Sequence, residues 1–235
     1  MKVAMLLLAA GRGTRFGGTL PKAFLRLRGE SLLVHSARRL LAAIGAGERA
    51  QILLVVHPDD RKAHLAPILE AIERAAGPHT VRIVDGGASR QESMTNGLSA
   101  IDSDADLVLV HDAARALVPT AAVRQCIAEA MRTGAALLAV PATDTQKRVV
   151  DGRVVATLDR TGVWQAQTPQ VVRTNLLRRA IHEARHAGFD GTDDVALVER
   201  LGEPVAVVPG TVTNLKITHP GDLALAEAIL AAGLA

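Results

Sequence analysis

The residues best suited to chemistry in this sequence stand together near its amino end. Residues 9–22 hold four glycines within eight positions, and Arg12, Arg15 and Lys22 are set among them. Glycine lets backbone N–H groups approach a ligand closely, and clustered cations beside such a loop favour a polyanion. Because an apolar run at residues 3–8 comes directly before it, the sequence predicts a strand that leads into a triphosphate-binding loop.

Two common phosphate-binding motifs do not fit this loop. The dinucleotide fingerprint G-x-G-x-x-G fails because Phe16 stands where the third glycine belongs. The P-loop motif fails because Thr19 follows Gly18 at the position that requires a lysine. By itself the stretch is therefore compatible with a different phosphate loop or with a glycine-rich turn that carries solvated arginines.

Further candidate residues follow later predicted strands. Gly86-Gly87 precedes Ser89 and Glu92, which have the spacing of a capping box, so a helix should start there. The start of that helix, beside Arg90, is a second candidate anion site. His111-Asp112 ends another apolar run, and we expect His111 to hydrogen-bond the backbone there.

The elements that must position these residues alternate along the chain. The sequence predicts strands at residues 3–8, 51–56, 81–84, 107–110, 135–140, 205–208 and 214–217, and helices at 31–44, 57–76, 89–101, 120–132, 174–186, 193–201 and from 220 onward. This order predicts an α/β fold, a Rossmann-like, mostly parallel sheet flanked by helices. Ligands bind beyond the carboxyl ends of such strands, where all three clusters fall.

One segment interrupts the alternation. Asp151-Gly152 between β-branched runs predicts a β-hairpin, so residues 142–162 should form an arm that projects onto a second subunit. The polar segment at residues 164–170 is expected to lead back to the body. No linker or repeat is apparent, which favours a single domain over residues 1–235 with this arm.

Composition limits the class of protein. Aromatic residues make up only 2% of the chain and 27 basic residues are interspersed with 24 acidic ones, which argues against nucleic-acid binding. No apolar run approaches the roughly 18 residues of a membrane span, so we expect no membrane partner and a cytoplasmic location. The single cysteine, Cys126, excludes a disulfide within the chain and should be buried.

Taken together, the motifs resemble one family, the 2-C-methyl-D-erythritol 4-phosphate cytidylyltransferases, over nearly the whole chain. The motifs are Ala9-Ala10-Gly11-x-Gly13-x-Arg15, Pro21-Lys22, Gly86-Gly87-x-x-Arg90-x-x-Ser93, His111-Asp112-Ala113-Ala114-Arg115, Asp144-Thr145-x-Lys147, Asp159-Arg160, Gln167-Thr168-Pro169-Gln170, Thr192-Asp193-Asp194 and Asn214-x-Lys216-Ile217-Thr218. Three positions depart from the family pattern, because Ala116 replaces a usual Pro, Ala23 a common Gln and Leu215 a commoner Ile.

The resemblance implies a reaction and a set of roles. CTP and 2-C-methyl-D-erythritol 4-phosphate would give 4-diphosphocytidyl-2-C-methyl-D-erythritol and pyrophosphate, with Mg²⁺, in isoprenoid precursor biosynthesis. The substrate phosphate is the nucleophile, so the protein supplies positioning and charge neutralisation. The implied residues are, for catalysis, Arg15, Lys22, Arg160 and Lys216; for the nucleotide, Ala9, Ala10, Gly11, Gly13, Gly87, Arg90 and Ser93; for the second substrate, Asp112, Arg115, Thr145, Arg160, Thr192 and Lys216; and for Mg²⁺, Asp112.

The same resemblance implies a homodimer in which Thr145 and Arg160 of the arm reach the other subunit's active site. Two alternatives stay open at this point. One is a cytidylyltransferase that acts on ribitol 5-phosphate, and the other is a non-catalytic nucleotide-binding domain. Asp194 is interpreted here only as an acid that favours the first turn of a helix.

Overall fold

The computed structural model describes residues 1–11 and 20–235 of the chain. Gly13 and Arg15, two residues of the predicted phosphate loop, lie outside this described part.

A mixed seven-stranded sheet forms the centre of the molecule, in the order β11-β7-β10-β6-β1-β4-β5. Strand β10 runs antiparallel to both of its neighbours, and the remaining pairs of adjacent strands are parallel. The strands are β1 Lys2–Leu8, β2 Arg26–Leu27, β3 Glu30–Ser31, β4 Arg49–Val56, β5 Thr80–Asp85, β6 Leu107–Asp112, β7 Ala135–Pro141, β8 Lys147–Val150, β9 Arg153–Thr157, β10 Trp164–Arg173 and β11 Ala206–Pro209. The predicted α/β class with a mostly parallel sheet is confirmed.

Helices cover both faces of this sheet. They are α1 Leu32–Leu41, α2 Pro58–Asp60, α3 Ala66–Ala76, α4 Arg90–Ser99, α5 Thr120–Thr133, α6 Thr174–His186, α7 Asp194–Arg200 and α8 Pro220–Ala231, with a 3₁₀ turn at Lys22–Phe24 and a π turn at Arg61–Leu65. The π turn divides what the sequence predicts as one helix over residues 57–76. Among the described helices, none is both long and apolar enough to cross a membrane.

Alternating side chains of the central strands divide the core into two layers. Val3, Met5 and Leu7 of β1 pack with α1, α3 and α5, whereas Ala4 and Leu6 pack with α4, α6 and α7. This two-residue period is the pleat of a strand that is buried on both faces. A smaller cluster lies under α8 and includes Ala116, which is fully buried.

Helix starts follow the predicted caps closely. The Ser31 hydroxyl accepts a hydrogen bond from the N–H of Val34, and the Ser89 hydroxyl accepts one from Glu92. The Glu92 carboxylate accepts from the N–H of Ala88, one residue earlier than a capping box requires. These local bonds fix where α1 and α4 begin.

Two sequence predictions of local structure are wrong. Residues 164–170 do not form a connecting segment but belong to β10, where Gln167, Thr168 and Gln170 are buried between β6 and β7. Their polarity hides the strand, because their side chains hydrogen-bond across it instead of packing on apolar neighbours. Residues 214–217 form no strand, although Asn214 is buried.

The predicted hairpin is confirmed. Strands β8 and β9 pair antiparallel, and the turn residues Asp151 and Gly152 both have positive φ, at 48° and 73°. Such a turn matches the twist of the flanking strands. The hairpin exposes Val149, Val150 and Val154, each by more than half of its surface.

We expect Gly97→Val to destabilise the fold. Gly97 lies on the buried face of α4, where an added Cβ would come 3.1 Å from side-chain atoms of Leu6 and Val55. Overpacking a filled core costs about 1–3 kcal/mol, and chemical denaturation should show a loss of this size. Ser99→Val places the same side chain on the exposed face of α4 and should change stability by less than about 0.5 kcal/mol. Equal losses in the two variants would contradict the packing account.

Candidate active site

A cleft of about 490 Å³ opens at the carboxyl edge of the parallel strands. It lies beyond the ends of β1, β4 and β6, as expected for ligand sites in sheets of this kind. Many of the residues singled out from the sequence line it together: Ala9, Ala10, Gly11, Lys22, Gly87, Arg90, Ser93, Asp112 and Lys216. The structure therefore joins clusters that are far apart in the chain into one site.

Close packing accounts for both glycines of the Gly86-Gly87 pair, because a Cβ on Gly87 would lie 2.3 Å from Cγ of Glu92. A Cβ on Gly86 would lie 2.2 Å from the Cβ of Ala10, so the two loops at this edge touch without room for a side chain. At Gly87, the backbone N–H donates to the Ser93 hydroxyl at 3.0 Å. That hydroxyl in turn donates to the carbonyl of Ser89 at 2.9 Å, so Ser93 holds the loop in shape.

Charge is concentrated around Asp112, at the end of β6. Its Oδ2 lies 2.7 Å from the ammonium of Lys216, and its Oδ1 lies 3.4 Å from Nε of Arg90. Burial alone would raise the pKa of Asp112, but the positive charges of Arg90 and Lys216 outweigh it and hold the pKa well below its usual range. Asp112 is therefore an ionised carboxylate that lines the cleft.

Arg90 is shared between two carboxylates. Its Nη1 and Nη2 donate to Oδ1 and Oδ2 of Asp194, both at 2.8 Å, which is the forked geometry of a strong ion pair. Burial would lower the pKa of Arg90, but Asp194 and Asp112 shift it upward on balance. Burial raises the pKa of Asp194, and the pair with Arg90 opposes that rise. The guanidinium consequently stays charged while its side chain remains about one-third exposed.

The sequence interpretation of Asp194 is corrected by this geometry. The side chain is 1% exposed and pairs with Arg90, so it does more than favour the first turn of α7. Asp193 is the residue that caps the helix, because its Oδ1 accepts from the N–H of Ala196 at 3.0 Å. The only local sign of a second role for Asp194 was that two acids stand side by side at a helix start that needs only one cap.

A chain of hydrogen bonds fixes the backbone of Asp112. Its N–H donates to the Thr168 hydroxyl at 3.1 Å, and that hydroxyl lies 3.0 Å from Nδ1 of His111. Nε2 of His111 lies 3.2 Å from the carbonyl of Arg115, which can only accept. The bonds thus favour the neutral tautomer with its proton on Nε2, and burial lowers the pKa of His111 to about 4.

Four residues predicted to bind the second substrate are not among the described residues that line the cleft: Arg115, Thr145, Arg160 and Thr192. Arg115 donates to the carbonyls of Asn214 at 2.7 Å and Ala166 at 3.4 Å, so it ties the segment before Lys216 to β10. Thr192 is exposed in the loop before α7. Thr145 and Arg160 lie on the exposed arm, where Arg160 donates to the carbonyl of Thr143.

Gln167, Thr168 and Asn214 are motif residues with no role assigned from the sequence, and the structure shows that they support the site. The Asn214 amide donates to Oε1 of Gln167 and to the carbonyl of Thr168, at 2.9 and 3.1 Å. The amide of Gln167 donates to the carbonyl of Thr211 at 2.9 Å. This network joins β10 to the segment that carries Lys216. A run of glutamines and threonines between apolar positions was the available signal.

The residues at the cleft fit a magnesium ion that is held largely by its substrate. In residues 1–11 and 20–235, no group of three or more His, Cys, Asp or Glu is arranged to hold a metal. Mg²⁺ is commonly bound by one or two carboxylates together with substrate phosphates and water. Asp112, ionised and beside the cleft, is suited to be that carboxylate.

Known proteins and solved structures are similar to this chain over nearly its whole length. A model of the 2-C-methyl-D-erythritol 4-phosphate cytidylyltransferase family matches residues 3–232. A protein of that name from Solibacter usitatus is 44% identical, over 98% of this chain and 96% of its own length. A crystal structure of the cytidylyltransferase from Thermus thermophilus has 35% identity and a TM-score of 0.74, covering 97% of this chain and 98% of that one. The 4-diphosphocytidyl-2C-methyl-D-erythritol synthase of Anaerococcus prevotii has 28% identity and a TM-score of 0.82, covering 98% and 96%.

The buried histidine predicts a pH dependence of stability. Between pH 6.5 and about 4 the unfolded chain binds a proton at His111 that the folded chain excludes, so stability is lost as the pH falls through this window. The loss should reach about 3 kcal/mol and should be complete near pH 4. Above pH 6.5 this contribution is constant.

Urea unfolding of the wild type and of His111→Gln across this range tests the assignment. The variant loses a packed ring and is less stable at every pH, but its stability should fall less steeply between pH 6.5 and 4. Parallel pH profiles for the two proteins would contradict the assignment of this titration to His111.

Proposed function

The chain belongs to the 2-C-methyl-D-erythritol 4-phosphate cytidylyltransferase family, and we propose that the described cleft is where it transfers CMP from CTP to 2-C-methyl-D-erythritol 4-phosphate. The products are 4-diphosphocytidyl-2-C-methyl-D-erythritol and pyrophosphate. One observation carries this placement. The cleft brings Lys22, Arg90, Asp112 and Lys216 together beside glycine-containing backbone at the carboxyl edge of the sheet.

The bond changes define what the protein must supply. A phosphate oxygen of the second substrate attacks the α-phosphorus of CTP, and the bond from that phosphorus to the bridging oxygen of pyrophosphate breaks. The attacking oxygen is already anionic, so no side chain needs to remove a proton. His111 is buried, neutral and bonded at both ring nitrogens, which suits a supporting role.

We assign Lys22 to neutralise charge at the reacting phosphorus. The 3₁₀ turn Lys22–Phe24 anchors it through the buried side chains of Ala23 and Phe24, while Lys22 itself lines the cleft. A fixed cation next to developing charge stabilises the transition state without reorganisation. We assign the same task to Arg15, which together with Gly13 and the backbone of Ala9 to Gly11 would surround the triphosphate.

We assign Lys216 to the phosphate of the second substrate. Its side chain is 40% exposed although its ammonium lies beside Asp112. An anion in the cleft can therefore contact Lys216 without Asp112 having to leave its position. Thr192 and Arg115 are assigned to the same substrate, Thr192 from the loop before α7 and Arg115 by a shift from its present carbonyl contacts.

Magnesium completes the proposed site, with Asp112 as its protein ligand. When bound, the ion would neutralise phosphate oxygens of CTP and help to align them. The chain's own part is to present an ionised carboxylate, and the nearby cations keep Asp112 in that form.

The arm supports the proposal of a homodimer with shared active sites. A hairpin of two strands is at best marginally stable by itself, and this one exposes several valines. Arg160 and Thr145, which lie on the arm, would then enter the site of the partner subunit. We also propose a cytoplasmic location, which is a prediction from composition alone.

The assigned role of Lys22 predicts a kinetic effect. Lys22→Ala should lower kcat for pyrophosphate release by about 10²–10³-fold, while its circular dichroism spectrum and melting temperature stay near those of the wild type. Lys62→Ala removes an exposed lysine of the π turn and should leave the rate unchanged. A Lys22→Ala rate within a few-fold of the wild type would refute the assignment.

The same assay identifies the second substrate. Wild-type protein is given CTP and Mg²⁺ with 2-C-methyl-D-erythritol 4-phosphate or with ribitol 5-phosphate. Release with the first and not with the second is expected. Release with ribitol 5-phosphate alone would favour the alternative enzyme, and no release with either would favour a nucleotide-binding domain.

Mixing two inactive variants tests the shared site. Arg160→Ala and Lys216→Ala should each be nearly inactive alone. In a mixed dimer one site carries both defects and the other is intact, so random exchange of subunits should restore about a quarter of wild-type activity. Sedimentation measurements establish that mixed dimers form. Mixed dimers without activity would show that Arg160 acts in its own subunit, and a monomer would overturn the dimer proposal.

A further inference from the structure

Two helix starts face each other across the cleft wall. Arg90 is the first residue of α4 and Asp194 is the first residue of α7, and they form the forked pair described above. A second pair of bonds runs beside it, because Gln91 accepts from the N–H of Gly191 at 2.8 Å and donates to the carbonyl of Phe189 at 3.2 Å. The loop that carries Thr192 is thus tied to the start of the helix that carries Arg90.

Asp194 is held firmly from its own side of this bridge. Its N–H and that of Val195 both donate to Oε1 of Gln170, at 2.9 and 3.0 Å. The amide of Gln170 donates to the carboxylate of Asp193, the cap of α7, at 2.9 Å. The carboxylate of Asp194 also lies at the positive end of α7, which favours its charge. Asp194 is therefore a fixed anion, to which the guanidinium of Arg90 is held.

Arg90 has only two carboxylates within reach among the described residues. Its two 2.8 Å bonds go to Asp194, whereas its hydrogen bond from Nη2 to Oδ1 of Asp112 is long, at 3.5 Å, and its Nε lies 3.4 Å from the same oxygen. A guanidinium released from Asp194 would turn to Asp112, because a cation at the start of α4 has no support from the helix dipole. Asp112 would then be engaged at short range on both oxygens, by Lys216 on Oδ2 as it is now and by Arg90 on Oδ1.

We propose that Asp194 is a positioning residue that keeps Arg90 from closing fully on Asp112 and so leaves Oδ1 of Asp112 only weakly engaged and available to a divalent cation. Asp194 contacts neither substrate and acts through Arg90. Through the same ion pair, Asp194 also sets the distance between the start of α4, which carries Arg90, and the loop that carries Thr192. This inference rests on the proposed function, which assigns Mg²⁺ to Asp112.

The Asp194→Asn variant separates this role from simple structural support. Asparagine keeps the size and one acceptor but removes the charge that holds the guanidinium. The Mg²⁺ concentration that gives half-maximal activity should rise about tenfold, and kcat should return to near the wild-type value when Mg²⁺ is saturating. Asp190→Asn, an exposed change in the same loop, should leave the Mg²⁺ dependence unchanged.

A double variant shows whether the effect passes through Arg90. In an Arg90→Gln background no guanidinium can turn to Asp112, so adding Asp194→Asn should shift the Mg²⁺ dependence by less than about twofold. A full tenfold shift in that background would overturn the proposal. A loss of kcat in Asp194→Asn that excess Mg²⁺ does not restore would also overturn it, since a merely weakened fold behaves in that way.

Calorimetric titration of CTP gives a readout that needs no turnover. The affinity of Asp194→Asn for CTP should be about tenfold weaker than that of the wild type at low Mg²⁺ and nearly equal at high Mg²⁺. Equal affinities at both concentrations would refute the positioning role. If the wild type binds CTP in this way but releases no pyrophosphate with methylerythritol phosphate, the proposed reaction fails while the role of Asp194 stands.

Discussion

The charge on Asp112 is the constraint on which the rest of the site depends. A carboxylate at the end of a buried strand loses most of its hydration, and it stays ionised only if cations replace the water. Here the cations are Lys216 at 2.7 Å and Arg90 at 3.4 Å. Arg90 belongs to α4 and Lys216 to the segment before α8, so the sheet must bring the start of one helix and a late loop to the end of β6. Neutralising the charge of Asp112 therefore requires that α4 and the segment before α8 meet at the end of β6.

Strand β10 explains how this edge is reinforced. It is the one strand of the described seven-stranded sheet that is antiparallel to both neighbours, so its start lies where the parallel strands end. That start is polar, and it supplies Thr168 to the backbone of Asp112 and Gln170 to the first N–H groups of α7. If β10 ran parallel to its neighbours, its carboxyl end would lie at the cleft. Its polar first half would then lie at the opposite edge of the sheet, away from Asp112 and α7.

Local signals predicted local structure well. Caps such as Ser31 and Ser89, and the Asp151-Gly152 turn, act through neighbours in the chain and mark the ends of elements. The family motifs named most of the cleft residues from the sequence alone. The polar strand β10 and the role of Asp194 were not predicted, because in both cases the hydrogen-bond partners lie far away in the chain. Arg90 and Asp194 are 104 positions apart, and no periodicity within one segment contains such a pairing.

The placement of Arg90 shows how a fold can present a cation to an anionic substrate. A guanidinium at the first position of α4 adds positive charge to the positive end of a helix, which is unfavourable by itself. A carboxylate buried to 1% exposure is unfavourable by itself as well. Facing each other, the two charges satisfy one another, and the α7 dipole supports the anion. The side chain of Arg90 remains about one-third exposed and lines the cleft, where a reaction without a general base depends on fixed charge.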